Sequence, residues 1–175
     1  MKDVSCSIFG HRKIETSNAL KQSIKECIEN LIVKHNVLSF LFGSKSDFDD
    51  LCHSVVSELR KKYPSIKRIC YTCKSEGCTL EIEREKCEKA YSRYLNREIR
   101  LLGFEEEFEH KTKYDAGKAS YIERNKAMID DSDFCIFYYN ENYTPPINTN
   151  SGTKIAYKYA KKKKKKIINL YEEKG

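Results

Sequence analysis

The sequence predicts an α/β fold in which a mainly parallel sheet carries helices on both faces. Short apolar segments, several of them bounded by glycine, alternate along the chain with longer segments whose apolar residues recur at helical spacing. This alternation is typical of β-α-β units, whose right-handed crossovers pair successive strands in parallel. The order β-α-β-α-β-(insertion, α)-β-α-β therefore indicates a doubly wound, Rossmann-like domain with five strands.

The first half of the chain supplies three strands and two helices. Pro64 ends the second helix, because proline cannot continue a helical hydrogen-bond pattern. The predicted strands are Val4–Phe9, Val37–Phe42 and Ile66–Thr72, and the predicted helices are Ser17–His35 and the stripe from Phe48 to Leu59.

Residues 74–117 interrupt the alternation and are predicted to form an insertion or lid within a single domain of residues 1–175. The charged segment 81–102 is predicted to be helical, whereas 105–107 and 111–113 are predicted to be exposed loop. The alternation then resumes with a helix around Ala119–Ile129, a strand Phe134–Tyr139, a helix from Ser151 to Ala160 and a last strand Ile167–Tyr171.

Composition and charge limit the classes of function. Hydrophobic residues make up 39% and charged residues 34%, as in a globular protein. No apolar run approaches the ~20 residues that cross a bilayer, and the N-terminus has no signal-peptide pattern, so we expect a cytoplasmic protein without a membrane partner. Of the net charge of +7, six charges come from the lysines of residues 161–166. Lysines complement the dipole at the end of a helix, so we do not expect nucleic acid as the partner.

The eight cysteines are expected to be reduced thiols, because no secretory signal accompanies them. Cys70, Cys73, Cys78 and Cys87 are spaced C-x2-C-x4-C-x8-C. A zinc site usually joins two close pairs of ligands, and the second close pair is missing. We therefore assign no metal and no cofactor, and whether these four thiols bind a metal stays open at this point.

The strongest candidate for an anion site is the turn Asn150–Thr153 and the helix that it opens. Backbone N–H groups and the helix dipole favour a phosphate there, although an ordinary helix capped by Ser151 or Thr153 has the same pattern. Ligands of doubly wound folds bind at the carboxyl ends of the strands where the strand order reverses, here between the first and fourth strands. This rule brings Gly10-His11-Arg12 and Tyr139–Tyr143 beside Ser151-Gly152-Thr153.

Two further segments carry candidate ligand-binding residues. Gly43-Ser44-Lys45-Ser46 is predicted to be a second polar turn, before a helix that starts near Asp47, and Asp49 in that helix either holds a ribose hydroxyl or simply complements the helix dipole. Arg124 and Asn125 lie among apolar residues, so at least one of them is expected to face inward. A buried arginine needs an anion, which is either a ligand phosphate or one of Asp130, Asp131 and Asp133.

Five segments together resemble the SLOG superfamily, and more closely a bacterial branch of it. They are Phe9-Gly10-His11-Arg12, Phe42-Gly43-Ser44 with Phe48-Asp49, Tyr121-Ile122-Glu123-Arg124-Asn125 through Asp133, Ser151-Gly152-Thr153 and Lys166-Ile167-Ile168-Asn169-Leu170. This superfamily unites the Smf/DprA DNA-processing proteins with the LOG nucleotide hydrolases. The resemblance implies a domain that binds nucleotides or relatives of ADP-ribose, and it implies a homo-oligomer, since SLOG relatives often form dimers.

The catalytic pattern of LOG enzymes is only partly present. In those enzymes R-x-x-x-M precedes P-G-G-x-G-T-x-x-E, and the arginine and the final glutamate are catalytic. Arg124 and Met128 match the first motif and Gly152-Thr153 match the phosphate turn, but Ala156 stands where the glutamate would be. Alanine cannot act as an acid or a base, which argues against LOG-type cleavage.

We therefore predict binding or sensing of a nucleotide-derived ligand, such as a nucleotide, an ADP-ribose-like molecule or a cyclic nucleotide. The first alternative is an N-glycosidase or nucleoside-deoxyribosyltransferase-like enzyme with Glu123, Asp49 or Glu141 as its acid. The second alternative is a DNA-binding module that uses Lys161–Lys166.

Overall fold

Strands and helices alternate along the computed structural model, which describes residues 2–43, 46–73, 103–110, 113, 118–143 and 151–172. The strands are β1 (Val4–Gly10), β2 (Val37–Phe42), β3 (Lys67–Cys73), β4 (Glu106–His110), β5 (Phe134–Tyr138) and β6 (Lys166–Asn169). The helices are α1 (Asn18–His35), α2 (Asp47–Lys62), α3 (Lys118–Asp131) and α4 (Gly152–Lys162). The predicted helix at 81–102 lies outside the described residues.

The six strands form one parallel sheet in the order β4-β3-β2-β1-β5-β6. The chain moves outward from β1 to β4 and then returns to place β5 on the other side of β1. The predicted reversal of strand order between β1 and the Phe134 strand is thus confirmed, with Gly10 opposite Tyr138. The doubly wound, Rossmann-like α/β fold is confirmed as well, with one strand more than predicted.

Each face of the sheet has its own apolar core. Helices α1 and α2 cover one face, where Ile8 and Ile136 are buried. Helices α3 and α4 cover the other face, where Phe9 stacks on Phe137 with ring centroids 5.2 Å apart. Because neighbouring residues of a strand point to opposite faces, the apolar runs of β1 and β5 supply both cores at once.

The strand that the sequence did not predict is β4. Residues 105–107 were expected to form a loop, but β4 begins at Glu106. β4 pairs in parallel with β3, and most of its residues are exposed glutamates, which is why the sequence resembled a loop. Arg68 fixes the start of this pairing. Its guanidinium donates to both carboxylate oxygens of Glu105, at 3.0 and 2.8 Å, and its backbone N–H donates to the same carboxylate at 2.9 Å. Charged side chains on an edge strand also discourage pairing with other chains.

The helix starts differ in how they are capped. The hydroxyl of Ser17 accepts a hydrogen bond from the Leu20 N–H at 3.1 Å, and that of Ser46 accepts one from the Asp49 N–H at 3.0 Å. Ser151 occupies the same position before α4, but its side chain makes no capping hydrogen bond. The predicted side-chain cap by Ser151 is therefore wrong.

The cysteine spacing does not assemble a metal site in the described part of the chain. Cys70 and Cys73 are three residues apart on β3, so they project to opposite faces of the sheet. Cys73 accordingly accepts a hydrogen bond from Ser120 of α3 at 3.8 Å. Cys78 and Cys87 lie outside the described residues, and within the described ones no three potential ligands cluster.

None of the described helices combines the length and the apolar character that crossing a membrane requires.

Packing against α2 requires a glycine at position 10. A Cβ added there would overlap the side chain of Phe48, so the end of β1 and the start of α2 can approach each other only at a glycine.

We predict that Gly10→Ala lowers the free energy of unfolding by about 1–3 kcal/mol, because an added methyl group overpacks this contact. Urea unfolding measures the change. Gly152→Ala is the matched control, since nothing lies within 4 Å of a Cβ at Gly152, and an equal loss in both variants would contradict this account.

Candidate ligand-binding site

The predicted site residues collect at the edge of the sheet where the parallel strands end. There β1 leads into His11, β2 into Gly43 and β5 into Tyr139. A helix that follows a parallel strand begins at this same edge, so the start of α4 lies here too. The residues divide further between the two faces, because α3 and α4 carry one group and α2 carries the other.

His11 is held between β1 and the segment that follows β5. Its side chain is 4% exposed, and its Nε2 accepts a hydrogen bond from the Asn140 N–H at 2.9 Å. The ring stacks on Tyr143, with centroids 4.2 Å apart, and lies 5.9 Å from the ring of Tyr139. The predicted neighbourhood of His11 and Tyr139–Tyr143 is therefore present.

The contact with Asn140 determines where His11 carries its proton. Because Nε2 accepts a hydrogen bond from a backbone N–H, the neutral imidazole carries its hydrogen on Nδ1. That Nδ1 is buried and has no hydrogen-bond partner among the described residues. An unsatisfied buried donor costs about 1–3 kcal/mol. Burial also lowers the pKa of His11 below its usual 6.5, which favours the neutral ring.

Tyr139 is fixed by a residue that the sequence did not single out. The side chain of Asn169 accepts from the Tyr139 N–H at 3.1 Å and donates to the Tyr139 carbonyl oxygen at 3.0 Å. The ring of Tyr157, from α4, lies 4.8 Å from the Tyr139 ring. Burial, with the charge of Glu141 next in effect, raises the pKa of Tyr139, so its hydroxyl stays protonated. An asparagine in the final strand was the only sequence signal for this contact.

Arg124 faces inward, which confirms the prediction that at least one of Arg124 and Asn125 does so. It is 3% exposed, and it packs where Gly43 ends β2. A Cβ at Gly43 would lie 2.9 Å from Nε of Arg124 and 2.6 Å from Sδ of Met128, so the glycine makes room for both side chains. The guanidinium carbon lies 5.0 Å from the centroid of the Tyr121 ring. Asn125 is half-buried, and its Oδ1 accepts from the Arg124 guanidinium at 3.4 Å.

The three aspartates that were alternative partners of Arg124 bond to other groups. Asp130 accepts from the Tyr159 hydroxyl at 2.9 Å, and Asp131 accepts from the Tyr71 hydroxyl at 2.7 Å. Asp133 accepts from the Ser5 N–H at 3.0 Å. None of these three hydrogen bonds involves Arg124.

At the start of α4 the side chain of the N-cap residue, Ser151, makes no capping hydrogen bond. The N–H groups of the first turn, from Gly152 to Lys154, have no acceptor within the helix, and Ser151 does not cap them. Ser151 is half-buried, Gly152 is exposed and Thr153 is buried. Among the residues that the structure describes, nothing lies within 4 Å of a Cβ at Gly152, so no packing contact with them requires a glycine there.

The remaining candidates are exposed, form other contacts or lie outside the described residues. Arg12 is exposed, and its carbonyl oxygen accepts from the Asp47 N–H at 2.9 Å, which ties the β1–α1 connection to α2. Asp49 belongs to α2, where its buried carboxylate accepts from the Ser46 hydroxyl. Glu123 accepts from the Lys113 N–H at 2.7 Å, and Glu141 is exposed. Ser44 and Asn150 lie outside the described residues.

Ala156 faces the core. It is 2% exposed and packs in the cluster that contains Phe137 and Met128. The position of the LOG glutamate is thus occupied by a small apolar residue in an apolar setting.

Comparison with known proteins places this geometry in a family. The chain matches the YpsA model, described as the YspA SLOG family, over residues 2–174. It is 30% identical over 154 residues to the uncharacterized SPbeta prophage-derived protein YoqJ of Bacillus subtilis (strain 168), an alignment that covers 86% of this chain and 85% of that protein.

A solved structure shows the same fold. DNA processing protein A from Helicobacter pylori, whose structure concerns its single-stranded DNA binding mode, is similar with a TM-score of 0.54 and 18% identity. The similarity covers 95% of this chain but 64% of that one, so the present chain spans less than two thirds of that protein.

The lowered pKa of His11 predicts that the stability of the protein depends on pH. Because its pKa is lower in the folded protein than in the unfolded chain, its contribution to stability is full above about pH 6.5 and is lost as the pH falls through the folded pKa. We expect the free energy of unfolding to fall more steeply between pH 7 and pH 5 in the wild type than in His11→Gln. His35→Gln, which changes an exposed histidine, is the control and should follow the wild type. Identical slopes in all three proteins would refute the assignment.

Proposed function

The chain belongs to the YspA SLOG family, and from this premise we propose that it binds a nucleotide-derived ligand at the carboxyl edge of its sheet. The ligand class is a nucleotide, an ADP-ribose-like molecule or a cyclic nucleotide. The observation that carries the proposal is the start of α4, where the Ser151 side chain leaves the first N–H groups uncapped and no atom of the described residues lies within 4 Å of a Cβ at Gly152. His11 and Arg124 lie at this edge on the face that α3 and α4 cover.

The chemistry of the edge suits a phosphate. The N–H groups of Gly152 and Thr153, aided by the helix dipole, would bind the phosphate oxygens. Arg124 supplies a cation that is already desolvated and ordered by packing, which makes it suited to bidentate contact with an anion. The exposed fraction of Tyr143, 37%, leaves an aromatic surface for the nucleoside part.

Gly10 and Gly43 enter this proposal in a different role from the one that their sequence positions suggested. Gly10 leaves room for the side chain of Phe48, and Gly43 leaves room for those of Arg124 and Met128. Both glycines therefore allow close packing at this edge and are not themselves proposed to contact the ligand. Ser44 and Asp49 remain predicted contacts to the rest of the ligand, and Asp49 already accepts a hydrogen bond from Ser46.

Binding without cleavage is favoured by the position of the acids. Ala156 removes the LOG glutamate, and Asp49 and Glu123 already accept hydrogen bonds from the protein. Glu141, the third acid considered for a glycosidase, is exposed next to Tyr139. The alternative enzyme would have to use one of these three acids, and release of free base from a nucleotide would reveal it.

Calorimetric titration with AMP, ADP-ribose and cyclic di-AMP tests the proposal. We expect binding of at least one of them and a weakening of at least about tenfold in Gly152→Asp, because a carboxylate at the start of α4 repels a phosphate. The same carboxylate complements the helix dipole, so the fold should not be destabilised. Gly152→Asn, of similar size but neutral, is the control and should bind more tightly than Gly152→Asp. Absence of binding across the three compounds by folded wild type would reject the proposal.

A second candidate, single-stranded nucleic acid, is supported by the lysines of residues 161–166. Lys161, Lys162 and Lys164 are exposed, and in the described part of the chain Asp130 is the only carboxylate paired with the run, 3.8 Å from Lys163. Lys161 lies over the ring of Tyr157 at 5.0 Å. Cations beside aromatic rings suit a phosphate backbone and its bases. Since Lys166 pairs with the first residue of β5, this surface lies at the edge opposite the start of α4.

This second candidate has its own test, the affinity for a fluorescent oligothymidine at several salt concentrations. If the surface binds it, replacing Lys161, Lys162 and Lys164 by glutamine reduces the slope of log K against log salt by about 0.7 for each lost contact. Replacement of Lys25, Lys34 and Lys61, which are exposed on α1 and α2, removes the same charge and should change the slope less. Equal effects of the two triple variants would exclude a localised binding surface.

A further inference from the structure

His11 is buried and yet has one ring nitrogen that lacks a hydrogen-bond partner among the described residues. Buried polar atoms in proteins nearly always have a partner, so each exception calls for an explanation. Here the exception lies at the edge of the sheet where the ligand is proposed to bind.

We infer that His11 is a specificity-determining residue whose Nδ1–H donates a hydrogen bond to an oxygen atom of the bound ligand. The inference rests on the proposed function and names one chemical requirement of the site: the ligand must present an acceptor oxygen, from a phosphate or from a ribose hydroxyl, to His11.

Three contacts prepare the ring for this role. The Asn140 N–H holds Nε2 as an acceptor at 2.9 Å and thereby keeps the hydrogen on Nδ1. Tyr143 covers one face of the ring at 4.2 Å, and Tyr139 lies 5.9 Å away. The backbone of Tyr139 is itself fixed by Asn169. The direction of the donor is thus set before a ligand arrives, which reduces the ordering that binding requires.

The groups around His11 also keep it neutral. Both rings in contact with His11 belong to tyrosines, and burial raises the pKa of Tyr139, so the Tyr139 hydroxyl adds no negative charge near neutral pH. Burial lowers the pKa of His11 itself. A neutral donor with a fixed tautomer distinguishes an acceptor oxygen from a donor group such as an amine, because a donor placed against Nδ1–H would find no lone pair.

Two substitutions separate this role from a structural one. In His11→Gln the side-chain amide reaches the position of Nε2, so its oxygen can still accept from Asn140 while the donor at Nδ1 is lost. In His11→Asn the amide nitrogen takes the position of Nδ1, so a donor remains while the contact with Asn140 is lost. We expect His11→Gln to bind the probes AMP and ADP-ribose about tenfold more weakly than wild type, and His11→Asn to bind more tightly than His11→Gln. In thermal unfolding the order should reverse, with His11→Asn less stable than His11→Gln.

A purely structural role predicts that affinity follows stability, so His11→Gln would then bind better than His11→Asn. That order, or binding of His11→Gln equal to wild type, overturns the inference while the proposed function stands. If wild type binds neither these probes nor cyclic di-AMP, the proposed function fails and the inference fails with it.

Nitrogen-15 NMR of the imidazole provides the direct readout. In the free protein at pH 7.5 the hydrogen should be on Nδ1, and a hydrogen on Nε2 would overturn the inference. On addition of the probe the Nδ1 signal should shift, and an unchanged Nδ1 signal at saturation would likewise overturn it. A pKa of His11 that rises on binding identifies a phosphate oxygen at Nδ1, because an anion stabilises the charged ring, whereas an unchanged pKa identifies a ribose hydroxyl.

Discussion

Parallel pairing of β1 with β5 brings Gly10 opposite Tyr138, and the contact of His11 with the segment that follows β5 depends on that register. From β1 the chain continues to α1 on one face, and from β5 it continues to α4 on the other face. In open α/β sheets ligands bind outside the carboxyl ends of the strands at such a reversal of strand order. His11 and Tyr139 lie at this reversal because each directly follows its strand.

Packing at this edge of the sheet explains the positions of two of its glycines. Gly10 admits Phe48 on the face of α2, and Gly43 admits Arg124 and Met128 on the face of α3. These close approaches hold an arginine at the end of β2 without exposing it to water. Gly152 is different, since no atom of the described ranges lies within 4 Å of a Cβ built there. The edge thus combines a tightly packed base with one open position at a helix start, an arrangement suited to an anionic ligand.

The sequence was informative wherever local patterns decide structure. The apolar runs and helical stripes predicted five of the strands and the four described helices, and the rule for strand reversal predicted that His11 meets Tyr139. The sequence was not informative where distant contacts decide. Strand β4 exists because β3 and the pair Arg68–Glu105 hold an otherwise exposed, glutamate-rich segment. The roles of Gly10 and Asn169 likewise depend on Phe48 and Tyr139, which no local pattern connects to them.

An amide NMR titration of the intact protein with ADP-ribose and AMP tests the central claim most directly, because it locates a ligand without assuming one contact. The account predicts saturable shifts of the Gly152 and Thr153 amides together with that of Asn140, whose N–H bonds to His11. Saturable shifts confined to the lysines of residues 161–166, or no saturable shift at the carboxyl edge with any nucleotide, would contradict it.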